Sequence, residues 1–375
     1  MTADMQTEVA TSRRIRRFTA DDIPAVADLH RKAFDVAATM STELLEAYEE
    51  YFLQVFLRRP FLRESAEPRV YESKDGAITG FVAVVPRRMS YEGRRVEASI
   101  VSQFIVDPAS RGRAALELLR SVFAGQQDIV IADEANLPCR SVWEALGGVT
   151  SHLYSFTWFY PLRPCGFGAL AARKAKVIPT WVASVVEPFA ASLDALGGRL
   201  LRRSSSQERN ALHGEALTAD DLAACAFDRA SQSGIRTDYR PDELQWLIDS
   251  AARLTRNGTL QKVLVKRSTH EVIGAYVYYL NPGGISQVIA LCAREADASD
   301  VLNHLISHAY DRGATALSGR MEPNFMQAFS EKHCILHAGP EWFLLHSSRP
   351  ELVNAFNAGE AGFSRIDGEW CLHFR

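Results

Sequence analysis

Arg111-Gly112-Arg113-Ala114 falls between two different periodicities, and the junction is suited to holding a phosphate. Upstream, apolar Ile100, Phe104 and Val106 with Ser102 and Gln103 read as a buried strand, which Asp107-Pro108 stops. Downstream, Leu116, Leu119, Val122 and Phe123 recur at helical spacing. A helix start leaves backbone N–H groups without partners, and the helix dipole and the arginine charges add positive potential at the same point. No other group of reactive side chains is so placed. The six cysteines form no C-x-x-C pair and have no metal-ligand spacing with the ten histidines, so they read as reduced thiols and no metal is expected. The run Asp367-Gly368-Glu369-Trp370 reads as a turn to which no chemistry is assigned.

The elements that must position this junction alternate between strand and helix. Residues 13–18 read as a strand, followed by a helix opened by Thr19-Ala20-Asp21-Asp22. Residues 44–62 form an amphipathic, aromatic-rich segment. Residues 69–72 and 78–85 make a hairpin around Lys74-Asp75-Gly76, and 94–106 completes a meander. A strand at 128–132 ends in Asp133-Glu134-Ala135-Asn136, and 141–146 is a short helix closed by Gly147-Gly148. Further on, Trp181, Val185, Phe189, Leu193, Leu196 and Leu200 fall on one helical stripe flanked by basic residues. That stripe is read as packing across two domains, with contact to a membrane surface as the alternative.

The second half echoes the first in order. Leu217-Thr218-Ala219-Asp220-Asp221 follows Phe18-Thr19-Ala20-Asp21-Asp22, Val272-Ile273-Gly274 follows Ile78-Thr79-Gly80, and Ser286-Gln287-Val288-Ile289 follows Ser102-Gln103-Phe104-Ile105. A helix at 301–310 and a strand at 315–319 continue the series, which argues for an internal duplication. In the second copy Ala293-Arg294-Glu295-Ala296-Asp297 replaces the phosphate turn, with two acids where phosphates would sit.

Length and composition set outer bounds. A chain of 375 residues with 47% hydrophobic content fills two cores. With 42 basic and 45 acidic residues the net charge is −3, which offers no global field for nucleic acid or an anionic membrane. The N-terminus is polar, without a signal-peptide pattern, and no run approaches the roughly 18 apolar residues that a membrane span needs. A cytoplasmic protein is the expectation.

The strand ending in Val106 and Pro108, with Arg111, Gly112 and Leu119 after it, resembles the GNAT superfamily of acyl-CoA-dependent acyltransferases. Ala114 stands at that family's usual glycine position and Leu116 at its usual small one, while Trp143 stands where a tyrosine is common. The resemblance implies an α/β (α+β) fold of two tandem GNAT-like mixed-sheet domains joined by a helical connector. Its expected divisions are a flexible N-terminus at 1–12, an acyl-CoA-binding domain at 13–163, the connector at 164–208 and a degenerate copy at 209–375. It further implies transfer of an acetyl or other acyl group from acyl-CoA to a small-molecule or peptide amine, or a hydroxyl, by direct attack on the thioester. Phe104, Ile105 and Val106 would bind pantetheine through their backbone. Arg111, Gly112, Arg113, Ala114 and Ala115 would hold the pyrophosphate, with Asn136 a further coenzyme A contact. Glu97 and Glu134 are the candidate general bases, with His152 a third. Fem-type aminoacyl transfer and a non-catalytic ligand-binding protein are the alternative readings.

Overall fold

The computed structural model describes residues 15–37, 39–58, 67–108, 111–168, 212–229, 234–267 and 271–374. In chain order the first half supplies β1 (Ile15–Arg17), α1 (Ile23–Phe34), α2 (Thr42–Phe52), β2 (Arg69–Glu72), β3 (Ile78–Tyr91), β4 (Arg94–Val106), α3 (Arg111–Phe123), β5 (Ile129–Ala135), α4 (Leu137–Ala145), β6 (Val149–Ser151) and β7 (Phe156–Pro161). The second half supplies β8 (Leu212–Ala216), α5 (Ala219–Arg229), β9 (Ile235–Thr237), α6 (Pro241–Arg253), β10 (Thr259–Arg267), β11 (Val272–Leu280), β12 (Ile285–Ala293), α7 (Ala298–Asp311), β13 (Ala316–Arg320), α8 (Met326–Glu331), β14 (Ile335–Ala338), β15 (Trp342–His346), α9 (Pro350–Asn357) and β16 (Ala361–Gly362).

These strands form two mixed sheets, ordered β1-β2-β3-β4-β5-β15-β6 and β14-β7-β13-β12-β11-β10-β8. Each has a parallel pair inside an antiparallel surround, β4 with β5 and β12 with β13. The helix between the paired strands, α3 or α7, supplies the crossover that parallel strands require. Strands also cross between the halves: the first lends β7 to the second sheet, and the second lends β15 and β9 to the first, with β16 paired to β9. β7 lies between β13 and β14, and β15 lies between β5 and β6. The unit expected at 13–163 therefore places its last strand in the sheet of 209–375 and receives β15 in return. Residues 1–12, and the expected connector from 169 onward, lie outside the described residues.

Three apolar layers hold the sheets. Leu118, Leu119, Val122 and Trp143 from α3 and α4 cover one face of the first sheet. Leu302, Leu305 and Phe329 from α7 and α8 cover the outer face of the second. Between the sheets lies one shared core, where Phe18, Tyr48 and Phe52 pack in the same cluster as Leu247, Ile289 and Phe374.

Several elements run longer than their periodicity indicates, for local reasons. The helix expected at 141–146 begins at Leu137, because Asn136 Oδ1 accepts a hydrogen bond from Cys139 N–H (3.0 Å) and caps it. The segment expected at 44–62 is helical from Thr42 to Phe52, capped by Ser41, and widens into a π turn over Leu53–Leu57. β3 and β4 join through Glu92 and Gly93, both at positive φ, which suits a tight hairpin turn.

Candidate active site

The parallel ladder between β4 and β5 stops part-way along both strands. Ala98, Ser99 and Ile100 pair with Ile129, Val130 and Ile131, and beyond that point the strands separate. A bulge in β4 between the Ala83–Ser102 and Phe81–Ile105 pairs marks the same place, and Gln103 there holds a φ of 49°. A non-glycine residue in the left-handed region costs energy that neighbouring contacts must offset. Here His30 Nε2 contacts Gln103 Oε1 at 2.8 Å and its Nδ1 contacts the Tyr48 hydroxyl at 3.0 Å, which pins the bulge to α1 and α2. With Gln103 accepting, Nε2 carries the proton and Nδ1 accepts from Tyr48. Burial lowers the His30 pKa to about 4, so the ring is neutral.

A cavity of about 380 Å³ opens in this separation. Ser102, Gln103 and Phe104 line it from β4, and Ala132, Glu134 and Ala135 from β5. Asn136 and Cys139 at the start of α4, His30 and Phe34 from α1, and Glu369, His373 and Phe374 from the terminal segment add to the lining. The strand edge facing the gap carries backbone groups that the β4–β5 ladder leaves unused, the kind of preset donor that can hold an amide or polarise a carbonyl.

The sequence-derived residues divide accordingly. Phe104, Glu134 and Asn136 come together at the cavity, Asn136 also serving as the cap of α4. The Ile105 side chain is buried in the shared core and Val106 packs toward α3 and α4, and neither is among the residues that line the cavity. α3 starts at Arg111, whose side chain lies outside what is described. Gly112 and Arg113 are exposed at that helix start, with Arg113 bound to Glu117 at 2.5 Å, and Ala114 and Ala115 are buried beneath it. A Cβ built on Gly112 would meet nothing within 4 Å, so the fold itself does not demand a glycine there. Glu97 is not brought to the cavity. It pairs with Arg95 at 2.5 Å near the start of β4, and its backbone N–H binds Asp128. His152 is also apart, edge-on to Trp342. Trp143 is fully buried and donates its indole N–H to Leu345 O at 2.9 Å.

The acid that the sequence reading passed over is Glu369. Residues 361–374 run through the interior, not over it as a surface turn. Ile366 N–H binds Ile289 O (3.0 Å), Tyr51 donates to Leu372 O (2.6 Å), and Phe374 stacks on Tyr48 with ring centres 3.9 Å apart. The Glu369 N–H binds Asp133 Oδ1 at 2.8 Å, and Asp133 is held by a buried ion pair with Arg320 at 2.8 Å. Gly368 makes the approach possible, since a Cβ there would lie 1.9 Å from Asp133 Oδ2. Burial, with Asp133 adding to it, pushes the Glu369 carboxyl up to about 8. Contacts from Ser102 and the Gln103 backbone pull it part-way down, the Ser102 contact falling short of hydrogen-bond geometry.

Glu134 is the second carboxyl. Burial raises its pKa well above the usual range despite Arg365 and Arg320 at 3.7 Å, and its Oε1 has no hydrogen-bond partner. Burial also pushes the Cys139 thiol up to about 12, which keeps it protonated and removes it as a nucleophile. A proton acceptor tuned near neutrality beside unused backbone donors is an arrangement for acid–base work on a bound carbonyl.

No protein-family profile matches the sequence, and no curated protein matches it at a significant level. Solved structures do. A conserved protein of unknown function from Enterococcus faecalis V583, described as a probable N-acyltransferase, superposes with a TM-score of 0.55 over 92% of this chain and 74% of its own, at 10% identity. A GCN5-related N-acetyltransferase from Anabaena variabilis gives 0.55 over 90% and 73%, at 12% identity. The chain has a GNAT-like fold. A third GNAT structure, a GCN5-related N-acetyltransferase from Kribbella flavida, gives 0.52 over 89% and 70%, at 15% identity. Among the described residues no helix of the GNAT-like fold is long and apolar enough to cross a membrane.

Proposed function

We propose that the protein transfers an acyl group from acyl-CoA to an amine at the β4–β5 gap, with Glu369 as the general base. The observation that carries this is the juxtaposition of Glu369 with the unpaired β4 edge in one cavity. Pantetheine would lie along the backbone of Phe104, Ile105 and Val106, and the pyrophosphate at the start of α3 around Gly112. The amine nitrogen attacks the thioester carbonyl, a C–N bond forms and the C–S bond breaks with its electron pair going to sulfur. Glu369 accepts the amine proton, and solvent protonates the departing thiolate. Backbone N–H groups at the bulge stabilise the oxyanion, and His30 keeps the bulge in place. The echoes between the halves, and the matching parallel pairs β4–β5 and β12–β13, support reading the two sheets as copies of one unit, with the donor site in the first.

The test is a thermal-shift series with coenzyme A, acetyl-CoA and longer acyl-CoAs. A ligand at 100 times its dissociation constant stabilises by about 2.7 kcal/mol. A shift with acyl-CoA supports the reading, and no shift with any of them removes it.

A further inference from the structure

Among the described residues, three acidic or guanidinium side chains line the cavity, and two of them, Glu134 and Glu369, are the carboxyls already described. The third is Arg256, which comes from the second half. His30 and His373 add no charge at neutral pH, because burial holds both near 4. Arg256 is exposed and makes no ion pair or hydrogen bond among the described residues. It contrasts with the other arginines near the site. Arg320 and Arg365 are buried among Asp133, Glu134 and Glu341, and Arg87 donates to Asp367 O.

Its placement is set by the backbone. Arg256 sits on a single helical turn, Thr255–Asn257, that ends α6 and is closed by Gly258. Gly258 has a φ of 116°, and a Cβ there would lie 2.3 Å from Leu280 O, so this turn is locked against the end of β11. The Arg256 charge reaches His30, Tyr51 and His373. His30 and His373 line the cavity, and Tyr51, on α2, holds the terminal segment at Leu372 O. In the proposed reaction the β4 edge and the start of α3 serve the donor, which leaves the lining from α1, the terminal segment and Arg256 for the acceptor.

We infer that the acceptor is an amine that also carries a carboxylate, and that Arg256 is the residue that selects it. An unpaired guanidinium at a cavity wall presents a planar fork of donors that matches a carboxylate. The amine end is drawn to the carboxyls of Glu369 and Glu134, and the acid end to Arg256. Aromatic Phe34 and Phe374, which line the same cavity, accept an apolar or aromatic body. A free amino acid has this distribution of charge.

This inference rests on the proposed acyl transfer, and the experiment separates the two. Acetyl-CoA binding is first established by thermal shift. Thiol release from acetyl-CoA is then measured with matched acceptors that differ only in the carboxylate: phenylalanine against phenethylamine, leucine against 3-methylbutylamine, lysine against cadaverine. At least one amino acid is expected to exceed its decarboxylated partner in kcat/KM by about tenfold or more. Arg256→Ala should raise KM for that amino acid by about tenfold, leaving kcat, the KM for acetyl-CoA and the turnover of the plain amine within about twofold. Arg256→Lys should restore much of the loss. Equal turnover of the members of every pair, an Arg256→Ala effect that falls equally on both, or no turnover of any amino acid would overturn the inference. Acetyl-CoA binding in those cases leaves the donor reading standing.

Discussion

Both sheets contain a parallel strand pair that separates part-way along, and the two gaps are used in opposite ways. In the first sheet the β4–β5 ladder ends at Ile100 and Ile131, and the space beyond is a cavity. In the second the β12–β13 ladder ends at Val288 and Gly319, and the next carbonyl, that of Ile289, is taken by the Ile366 N–H. Arg365 binds Gln287 beside it at 3.0 Å. The turns that follow differ in the same sense. Gly112 stands free at the start of α3, whereas Asp297 at the start of α7 is buried and bound by Arg267 (2.6 Å) and Arg294 (2.9 Å). A separated strand pair is therefore only a vacancy in the hydrogen-bond ladder. One terminal segment converts both, plugging the second gap with Ile366 and furnishing the first with Glu369.

The largest effect should come from removing the proposed base in the open gap. Glu369→Gln is expected to lower kcat by about 10²–10⁴-fold with acetyl-CoA affinity unchanged. For the unaltered protein kcat/KM should rise with pH through an inflection near 8, which the variant should lack. The stability effect has the opposite sign. Because the folded carboxyl holds its proton to about pH 8 while the unfolded one releases it near the ordinary value, Glu369 lowers stability progressively as pH rises between those limits. Glu369→Gln should thus melt higher than the parent at pH 8, and an equal Tm at pH 5 and pH 8 would contradict the assignment.

In the plugged gap the expected loss is stability and not activity. Ile366→Ala should cost about 2–5 kcal/mol, measured by urea unfolding, because the side chain is fully buried. Coenzyme A stoichiometry should stay at a single site, and a second site appearing would show that the plug alone distinguishes the two gaps.

The two turns give a matched pair. Gly112→Asp should leave the fold intact, since its position is open, yet weaken acetyl-CoA binding by tenfold or more through repulsion of the pyrophosphate, about 1.4 kcal/mol. Asp297→Ala should leave acetyl-CoA affinity unchanged and destabilise by about 1–3 kcal/mol, because it removes the acceptor shared by two arginines. The smallest effect is expected at Trp143, whose indole is spent on Leu345 O away from the cavity. Trp143→Phe should change kcat by less than about tenfold.

Local pattern made much of the first sheet legible. Alternation places β4, the strand that leads to Gly112, over Arg94–Val106, as expected. Of the residues that line the cavity, Phe104, Glu134 and Asn136 were legible in the sequence. Glu134 could be placed because it ends a strand next to the one that carries the motif. Glu369 could not, because its position depends on a hydrogen bond to Asp133, 236 residues upstream, and periodicity carries no information about such partners. The closest signal was local: an acid flanked by glycine and tryptophan near the end of the sequence. Arg256 gave no signal at all, since its relevance comes from a turn locked against β11. The exchanged strands β7 and β15 were likewise hidden, as a strand's pattern indicates its faces and not its neighbours.

That exchange also governs when the molecule can exist during synthesis. β5 waits for a partner, β15, that begins at Trp342, so more than 200 further residues must leave the ribosome after β5 before the first sheet is complete. Until then β5 presents an open edge beside a half-built core, the condition in which nascent chains pair with the wrong strand or with each other. Contacts of such long sequence separation also slow folding. Fragments cut between the halves would lose a central strand each, so the protein should be produced whole, and its yield should respond more to the pace of translation and to chaperones than to surface substitutions.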